Sequence, residues 1–253
     1  MPPAAWLTIG VVTLGAAFAG FVEGAAELEF PLVAMSLWAW VLPPPLAAPL
    51  AVFGALLGQI VSLFPLRGGF DLKRLAPFVV GGALGVPLGV FLLHNADPSR
   101  FRLAVGALLT LFGFYALTVR DSARLKTGGI GADAFVGVVG GALGGLCGLA
   151  AAPAAIWTRL RGWKREPRRA TIKAYAIVGA VLTLAAYART GVVDPADLRL
   201  FALVAPAALV GSFLGARFVR RGGGRAVGRI ALLVTLASGL GMLIAVGRTF
   251  WGG

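Results

Sequence analysis

Three carboxylates lie close together near the N-terminus, in a stretch of small and apolar residues. Glu23, Glu27 and Glu29 are the only acidic residues before Asp71. Carboxyl groups within a membrane are costly and usually functional. Glu23 and Glu27 share one face of a helix, where like charge and low polarity favour protonation of at least one of them. The pair indicates a proton-coupling role, with Glu27 as the leading candidate. The alternative is that all three carboxylates reach water and are solvated.

Polar residues further along the chain have the chemistry of an anion site. Gln59 and Ser62 lie in one apolar stretch, and Thr171, Lys173 and Tyr175 begin the corresponding stretch later on. A buried anion needs a cation or converging N–H donors to offset its desolvation, and Lys173 can supply the cation. Lys173 can instead simply end a basic loop, and both interpretations stay open.

Two prolines mark places where the chain can break inside an apolar segment. Pro31 and Pro153 each stand at or near the start of a short apolar piece. Helix N-termini exposed by such breaks suit an anion. The predicted substrate site therefore combines the residues at the breaks with the polar residues above; its members are Glu29, Pro31, Gln59, Ser62, Pro153, Trp157, Thr171, Lys173 and Tyr175.

The elements that must position these residues are membrane helices. The mean hydropathy is +0.89, with 58% hydrophobic and 13% charged residues, whereas about a quarter of residues are charged in soluble proteins. Eight apolar stretches approach the roughly 20 residues that cross a bilayer; they are residues 4–22, 46–64, 75–94, 101–119, 134–150, 171–188, 199–217 and 229–247. Two pieces, 30–43 and 152–158, are too short to span comfortably. We therefore expect an all-α integral membrane protein with broken or re-entrant segments beginning near Pro31 and Pro153.

The chain also contains an internal repeat. A proline precedes an alanine by seventeen positions, and an aspartate precedes a glycine by fourteen, once in each half; these residues are Pro31, Ala48, Asp71 and Gly85, then Pro153, Ala170, Asp197 and Gly211. Duplicated apolar chains interrupted by Gly and Pro are typical of secondary transporters whose site lies between the halves. The predicted units are residues 1–120 and 134–253, joined by a cytoplasmic linker at 121–133, with about four membrane helices in each unit.

The charges predict the orientation of these units. If each short piece returns the chain to its starting face, four connections rich in Lys and Arg share one face; they are residues 65–74, 120–133, 159–173 and 217–229. Cytoplasmic loops carry the excess of Lys and Arg, so these connections are predicted to be cytoplasmic and both termini to lie outside. The two repeats are then inverted. Because sidedness accounts for the net charge of +13, we expect the lipid bilayer and no nucleic acid as a partner.

Several short motifs follow one another along the chain. They are Glu29-Phe30-Pro31-Leu32, Gly69-Phe70-Asp71 and Gly85-Val86-Pro87-Leu88-Gly89 in the first half, and Arg169-Ala170-Thr171 and Gly211 to Gly215 in the second. In order and spacing they resemble the TauE/SafE sulfite exporter family, also called the toluene-sulfonate uptake permease family. The resemblance covers nearly the whole chain. It implies a multi-pass carrier in the bacterial inner membrane that moves small anions such as sulfite, sulfoacetate or other organosulfonates, usually outward. Glu27 and Glu29 depart from the family pattern, which commonly has glycines before the proline.

Other classes of function are weaker. One histidine and one cysteine cannot furnish a paired His/Cys metal set, and neither an HExxH nor a GxxxxGK[ST] motif is present. We therefore expect no enzyme, no metal and no cofactor. An anion channel or a membrane assembly factor stays open as an alternative, and the sequence gives no indication of an oligomer.

Overall fold

The described part of the protein is a bundle of helices. The computed structural model describes residues 3–26, 28–63, 71–118, 128–194, 197–219 and 224–251. These residues form ten α-helices and no strand: α1 (Pro3–Ala26), α2 (Phe30–Val41), α3 (Pro44–Leu63), α4 (Leu72–His94), α5 (Pro98–Thr118), α6 (Ile130–Cys147), α7 (Ala151–Leu160), α8 (Arg165–Thr190), α9 (Leu198–Val219) and α10 (Gly224–Trp251). Within the described ranges, eight helices are long and apolar enough to cross a membrane. The predicted all-α membrane class is confirmed.

The two short helices begin where the prolines predict. Helix α2 starts one residue before Pro31, and α7 starts two residues before Pro153. Proline is tolerated in a first turn because the first N–H groups of a helix have no partner within it. At about 1.5 Å per residue, helices of 12 and 10 residues fall well short of a hydrocarbon core about 30 Å thick. Gly148, with φ of +84°, ends α6 in the left-handed conformation that glycine adopts readily.

Glycines allow two helix pairs to pack backbone against backbone. Gly81, Gly85 and Gly89 of α4 lie, in that order, against Ala134, Val138 and Ala142 of α6. Residue numbers increase in the same direction along both helices, so the two helices run parallel. Gly20 and Gly24 of α1 meet Ala208 and Ser212 of α9 in the same way. Small residues at spacing four permit this approach in membranes.

The pairs relate the two halves of the chain. Counted along the chain, α1 is the counterpart of α6, and α4 is the counterpart of α9. The α1–α9 pair is therefore the counterpart of the α6–α4 pair. Corresponding helices also touch: Gly106 of α5 packs on Met242 of α10, and Gly113 packs on Leu236. Residue numbers increase along α5 while those of the contacting residues in α10 decrease, so α5 and α10 are antiparallel. Inverted repeats require this arrangement, although the direction in which each half crosses a bilayer stays a prediction.

The structure describes only the end of the predicted linker, so the division of the chain into two units stays a prediction. Helix α6 begins at Ile130, so residues 130–133 are helical, while 121–127 lie outside the described residues. Asp133 suits this helix start, because it lies in the first turn, where the helix dipole favours an acidic residue. Its carboxylate is also held by Arg161, at 2.8 Å.

Candidate functional site

The two breaks in the chain meet in the interior of the bundle. Glu29, directly before α2, accepts a hydrogen bond from the backbone N–H of Ala151, the first residue of α7. The ring of Pro31 packs against Gly148. The N-terminal ends of both short helices therefore come together, and each carries a partial positive charge.

An open cavity leads from this junction to one face of the protein. Its volume is about 340 Å³, and Glu29, Gln59 and Ala151 line it where it adjoins a smaller, more enclosed cavity. Four basic residues are among those that line it, namely Arg159, Arg168, Arg169 and Lys173. We call this cavity the vestibule. Glu29 is the acidic member of the described lining, so the vestibule carries net positive charge and attracts anions.

A second, much smaller cavity lies on the other side of the junction. It has a volume of about 20 Å³ and is lined by Glu29, Pro31, Gln59, Gly148 and Thr183, among others. The hydroxyl of Thr183 and Oε1 of Gln59 have no hydrogen-bond partner among the described residues. A space of this size holds about one water molecule. Gln59 lines both cavities and thus stands between them.

Glu23 is connected to this site through Gln59. Its side chain is buried, with 4% exposed, and Nε2 of Gln59 donates to Oε1 of Glu23 at 3.1 Å. The carboxylate packs directly against Gly58, where no β-carbon would fit. Because Gln59 also lines both cavities, its amide links a buried carboxyl group to the site.

The structure brings together four of the predicted site residues. Glu29, Gln59 and Lys173 line the vestibule, and Pro31 lines the small cavity. Glu27 and the side chain of Ser62 lie outside the described residues, so their roles stay predictions.

Pro153 and Trp157 instead face away from the vestibule. They are four residues apart on α7 and line an apolar groove of about 500 Å³, whereas Ala151 and Ala155 line the vestibule. This division follows from the helical period, which puts residues i and i+4 on one face. Nε1 of Trp157 donates to Oδ1 of Asp133 at 2.7 Å.

Thr171 and Tyr175 are likewise directed away from the cavities. Both are buried in α8, and neither is among the described residues that line the vestibule or the small cavity. The hydroxyl of Tyr175 donates to the carbonyl of Gly137 at 2.8 Å, and its ring packs against Gly82 and Phe78. In this conformation Tyr175 joins α8 to α4 and α6.

Sequence reasoning missed several residues of the site. Arg159, Arg168 and Arg169 were explained by loop charge alone, yet they line the vestibule. Helix α8 begins at Arg165, so Arg169 and Lys173 are four residues apart on one helical face. That spacing was a usable signal. The buried hydroxyl of Tyr115, which has no partner among the described residues, also lines the vestibule, and its sequence context carries no comparable signal.

A comparison with protein families agrees with this architecture. The family model described as "Sulfite exporter TauE/SafE" matches residues 12–242, an interval that begins within α1 and ends within α10. It contains both breaks and every described residue that lines the vestibule. No curated protein and no solved structure matches the chain. With the match covering nearly the whole sequence and eight helices able to span a membrane in the described residues, the chain belongs to the sulfite exporter TauE/SafE family of membrane transporters.

Proposed function

We propose that this protein is a secondary transporter that exports small sulfur-containing or organic anions, such as sulfite, sulfoacetate or other organosulfonates, by alternating access in the bacterial inner membrane. One observation carries the proposal. The two broken-helix junctions meet at Glu29 and Ala151, which line a vestibule together with four basic residues. Paired broken helices at the interface of two repeats are where secondary transporters bind their substrates.

The chemistry of the vestibule favours an anion over a cation or a neutral solute. Lys173 and its basic neighbours supply positive charge, and the N-terminal end of α7 supplies backbone N–H donors. These groups replace the water that a sulfite or sulfonate group loses on entry. Because the vestibule opens at the basic face, which charge sidedness assigns to the cytoplasm, the substrate would enter from inside the cell.

Alternating access is supported by the way in which the site is closed on its other side. Beyond the small cavity, Tyr187 of α8 is fully buried, and its hydroxyl donates to the carbonyl of Gly145 at 2.7 Å. The site is thus open to one face and packed shut toward the other. The antiparallel contact of α5 with α10 supports inverted repeats, which can exchange these two arrangements.

Counterflow in proteoliposomes tests the proposal. Vesicles preloaded with unlabelled sulfite or sulfoacetate are expected to accumulate the labelled anion transiently and saturably. A channel gives flux that does not saturate in this range and no transient accumulation. An assembly factor gives no flux. Either of these results would contradict the proposal that the protein is a carrier.

The coupling role that we propose for Glu27 and Glu23 has its own test. Glu27→Gln removes a carboxyl group that can accept and release a proton, so we expect transport to fall by about tenfold, the effect of roughly 1.4 kcal/mol, and to lose its dependence on pH. Initial rates measured between about pH 5 and pH 8, where a coupling carboxylate titrates, give the result. Glu166→Gln is the matched control, because Glu166 is exposed. A pH dependence identical to that of the unmodified protein would sink the coupling role.

Replacement of Lys173 tests the anion site itself. Lys173→Gln keeps a polar side chain but removes the charge of this residue from the vestibule, so we expect the KM for sulfite to rise by at least about tenfold, since a hydrogen bond to a charged group contributes about 1.5–3 kcal/mol. The maximal rate should change less. Lys164→Gln serves as the control, because Lys164 is exposed before α8. Equal KM values in the two variants would remove Lys173 from the site.

A further inference from the structure

The two short helices differ in what they contact. Helix α2 packs against both α5 and α10. Helix α7 is the counterpart of α2 in the second half, but the vestibule lies between it and the α5–α10 pair: Ala155 and Arg159 line one side, and Phe112, Tyr115 and Leu232 the other. The α5–α10 pair therefore packs against α2 and is separated from α7 by the vestibule.

A network of hydrogen bonds holds α2 against this pair. Nε of Arg102 donates to the carbonyl of Ala39, and Nη2 to the carbonyl of Trp40, each at 3.0 Å. Nε1 of Trp40 donates to Ser238 at 2.9 Å, whose hydroxyl donates to the carbonyl of Ser36 at 2.6 Å. The last carbonyls of a helix have no partner within it and carry partial negative charge, so the guanidinium of Arg102 suits this position.

The repeat supplies an equivalent residue for the other short helix. The offset of 126 residues between Asp71 and Asp197 brings Arg102 to within one residue of Arg229. Arg229 is exposed and lines a cavity at the basic face together with Leu28 and Arg165. The offset of 122 between Pro31 and Pro153 relates Ala39 and Trp40 to positions 161 and 162, directly after α7.

We propose that α5 and α10 move together as a gate that Arg102 and Arg229 lock in turn. Arg102 holds the gate on the end of α2 while the vestibule is open. When the gate swings to α7 and closes the vestibule, Arg102 releases and Arg229 donates to the carbonyls at the end of α7. The inference rests on the proposed alternating access, and it names the residues that set the balance between the two states.

Thiol accessibility tests the lock without any substrate. Two reporters are used in purified protein: Ser36→Cys, at a position 2% exposed beneath α10, and Ala155→Cys, in the vestibule. The native Cys147 is fully buried and gives the background. Adding Arg102→Ala should accelerate modification of the Ser36 reporter about tenfold, the effect of about 1.4 kcal/mol, and should slow modification of the Ala155 reporter.

Two comparisons make the result specific. Arg229→Ala should not accelerate the Ser36 reporter, and should leave the Ala155 reporter as fast or faster. Arg100→Ala is the matched control, because the Arg100 side chain is 77% exposed and pairs with Asp97. If Arg102→Ala yields no folded protein, Ser238→Ala removes the middle of the same network and should give the same two shifts.

The lock is refuted if Arg102→Ala or Ser238→Ala leaves both reporters at the rates of the Arg100→Ala protein. This result is independent of transport. Absence of sulfite counterflow in the unmodified protein would refute the proposed function instead, whatever the reporter rates are.

Discussion

Glu29→Gln is expected to abolish the accumulation of substrate against a pH gradient while counterflow continues. Glu29 lies where the two breaks meet and accepts the N–H of Ala151, so a substrate anion in the vestibule meets its carboxylate directly. Two negative charges held close together and partly shielded from water favour the protonation of one of them. The amide of glutamine keeps the shape and the hydrogen-bond acceptor of the glutamate but carries no charge. Labelled substrate can therefore still exchange with unlabelled substrate across the membrane, but its transport is no longer coupled to the movement of protons.

The size of this effect follows from the driving force. One pH unit supplies about 1.4 kcal/mol per proton, which sustains about a tenfold gradient of a coupled anion. With the membrane potential clamped at zero, the unmodified protein should approach that ratio, and Glu29→Gln should give a ratio of one. Glu166→Gln, at an exposed position, should behave as the unmodified protein. If Glu29→Gln still accumulates substrate to the unmodified level, Glu29 plays no part in coupling.

Gly85→Val should have the largest effect on stability. The position of a β-carbon at Gly85 coincides with the backbone of α6 at Val138 and Ala142, so any side chain forces α4 and α6 apart. Overpacking of this kind costs about 1–3 kcal/mol, and a loss near 3 kcal/mol lowers the Tm by roughly 6–12 °C in a chain of this size. Thermal unfolding of purified protein measures it.

Gly10→Val provides the matched comparison for that measurement. A β-carbon at Gly10 meets nothing within 4 Å, although the position also lies in a membrane-spanning candidate. Its Tm should stay within a few degrees of the unmodified value, since substitutions away from packed features usually change stability by less than about 0.5 kcal/mol. Equal losses for Gly10→Val and Gly85→Val would mean that the α4–α6 contact does not depend on glycine.

The order of the helices could be predicted because the signals for it are local. A run of apolar residues needs no partner to identify a membrane helix, and a proline acts on its own turn. Pro31 and Pro153 therefore marked the starts of α2 and α7 to within two residues. Glu29 was a candidate for the same reason, since its place directly before Pro31 put it at the break.

The faces that the helices present to the site could not be predicted in the same way. Pro153 and Trp157 were assigned to the site because they are near the break, but they point into the apolar groove. Only the packing of α7 against α6 decides which of its faces meets the vestibule. Thr171 and Tyr175 occupy the packed side of α8 by the same argument, and the site side belongs to Arg169 and Lys173.

The basic residues at the start of α8 can have two roles, and the sequence indicated only the first, as charges of a cytoplasmic loop. The distribution of charge across the membrane explains Arg168 and Arg169 as members of a cytoplasmic loop. The sequence therefore offered no reason to assign them to the substrate site. The structure places both in the vestibule. The same residues can satisfy both requirements, because the start of a helix at the basic face is also the mouth of the path to the junction.

Locating a bound anion tests most directly the claim that the junction of the two breaks is the substrate site. Selenite has the shape and charge of sulfite, and its selenium can be located by anomalous scattering in crystals of the full chain. We expect one strong selenium peak in the vestibule, placed so that a selenite oxygen lies within about 3.5 Å of Nζ of Lys173, the range of a hydrogen bond. Selenium bound only on the exposed basic surface, with none in the vestibule at saturating selenite, would contradict the account.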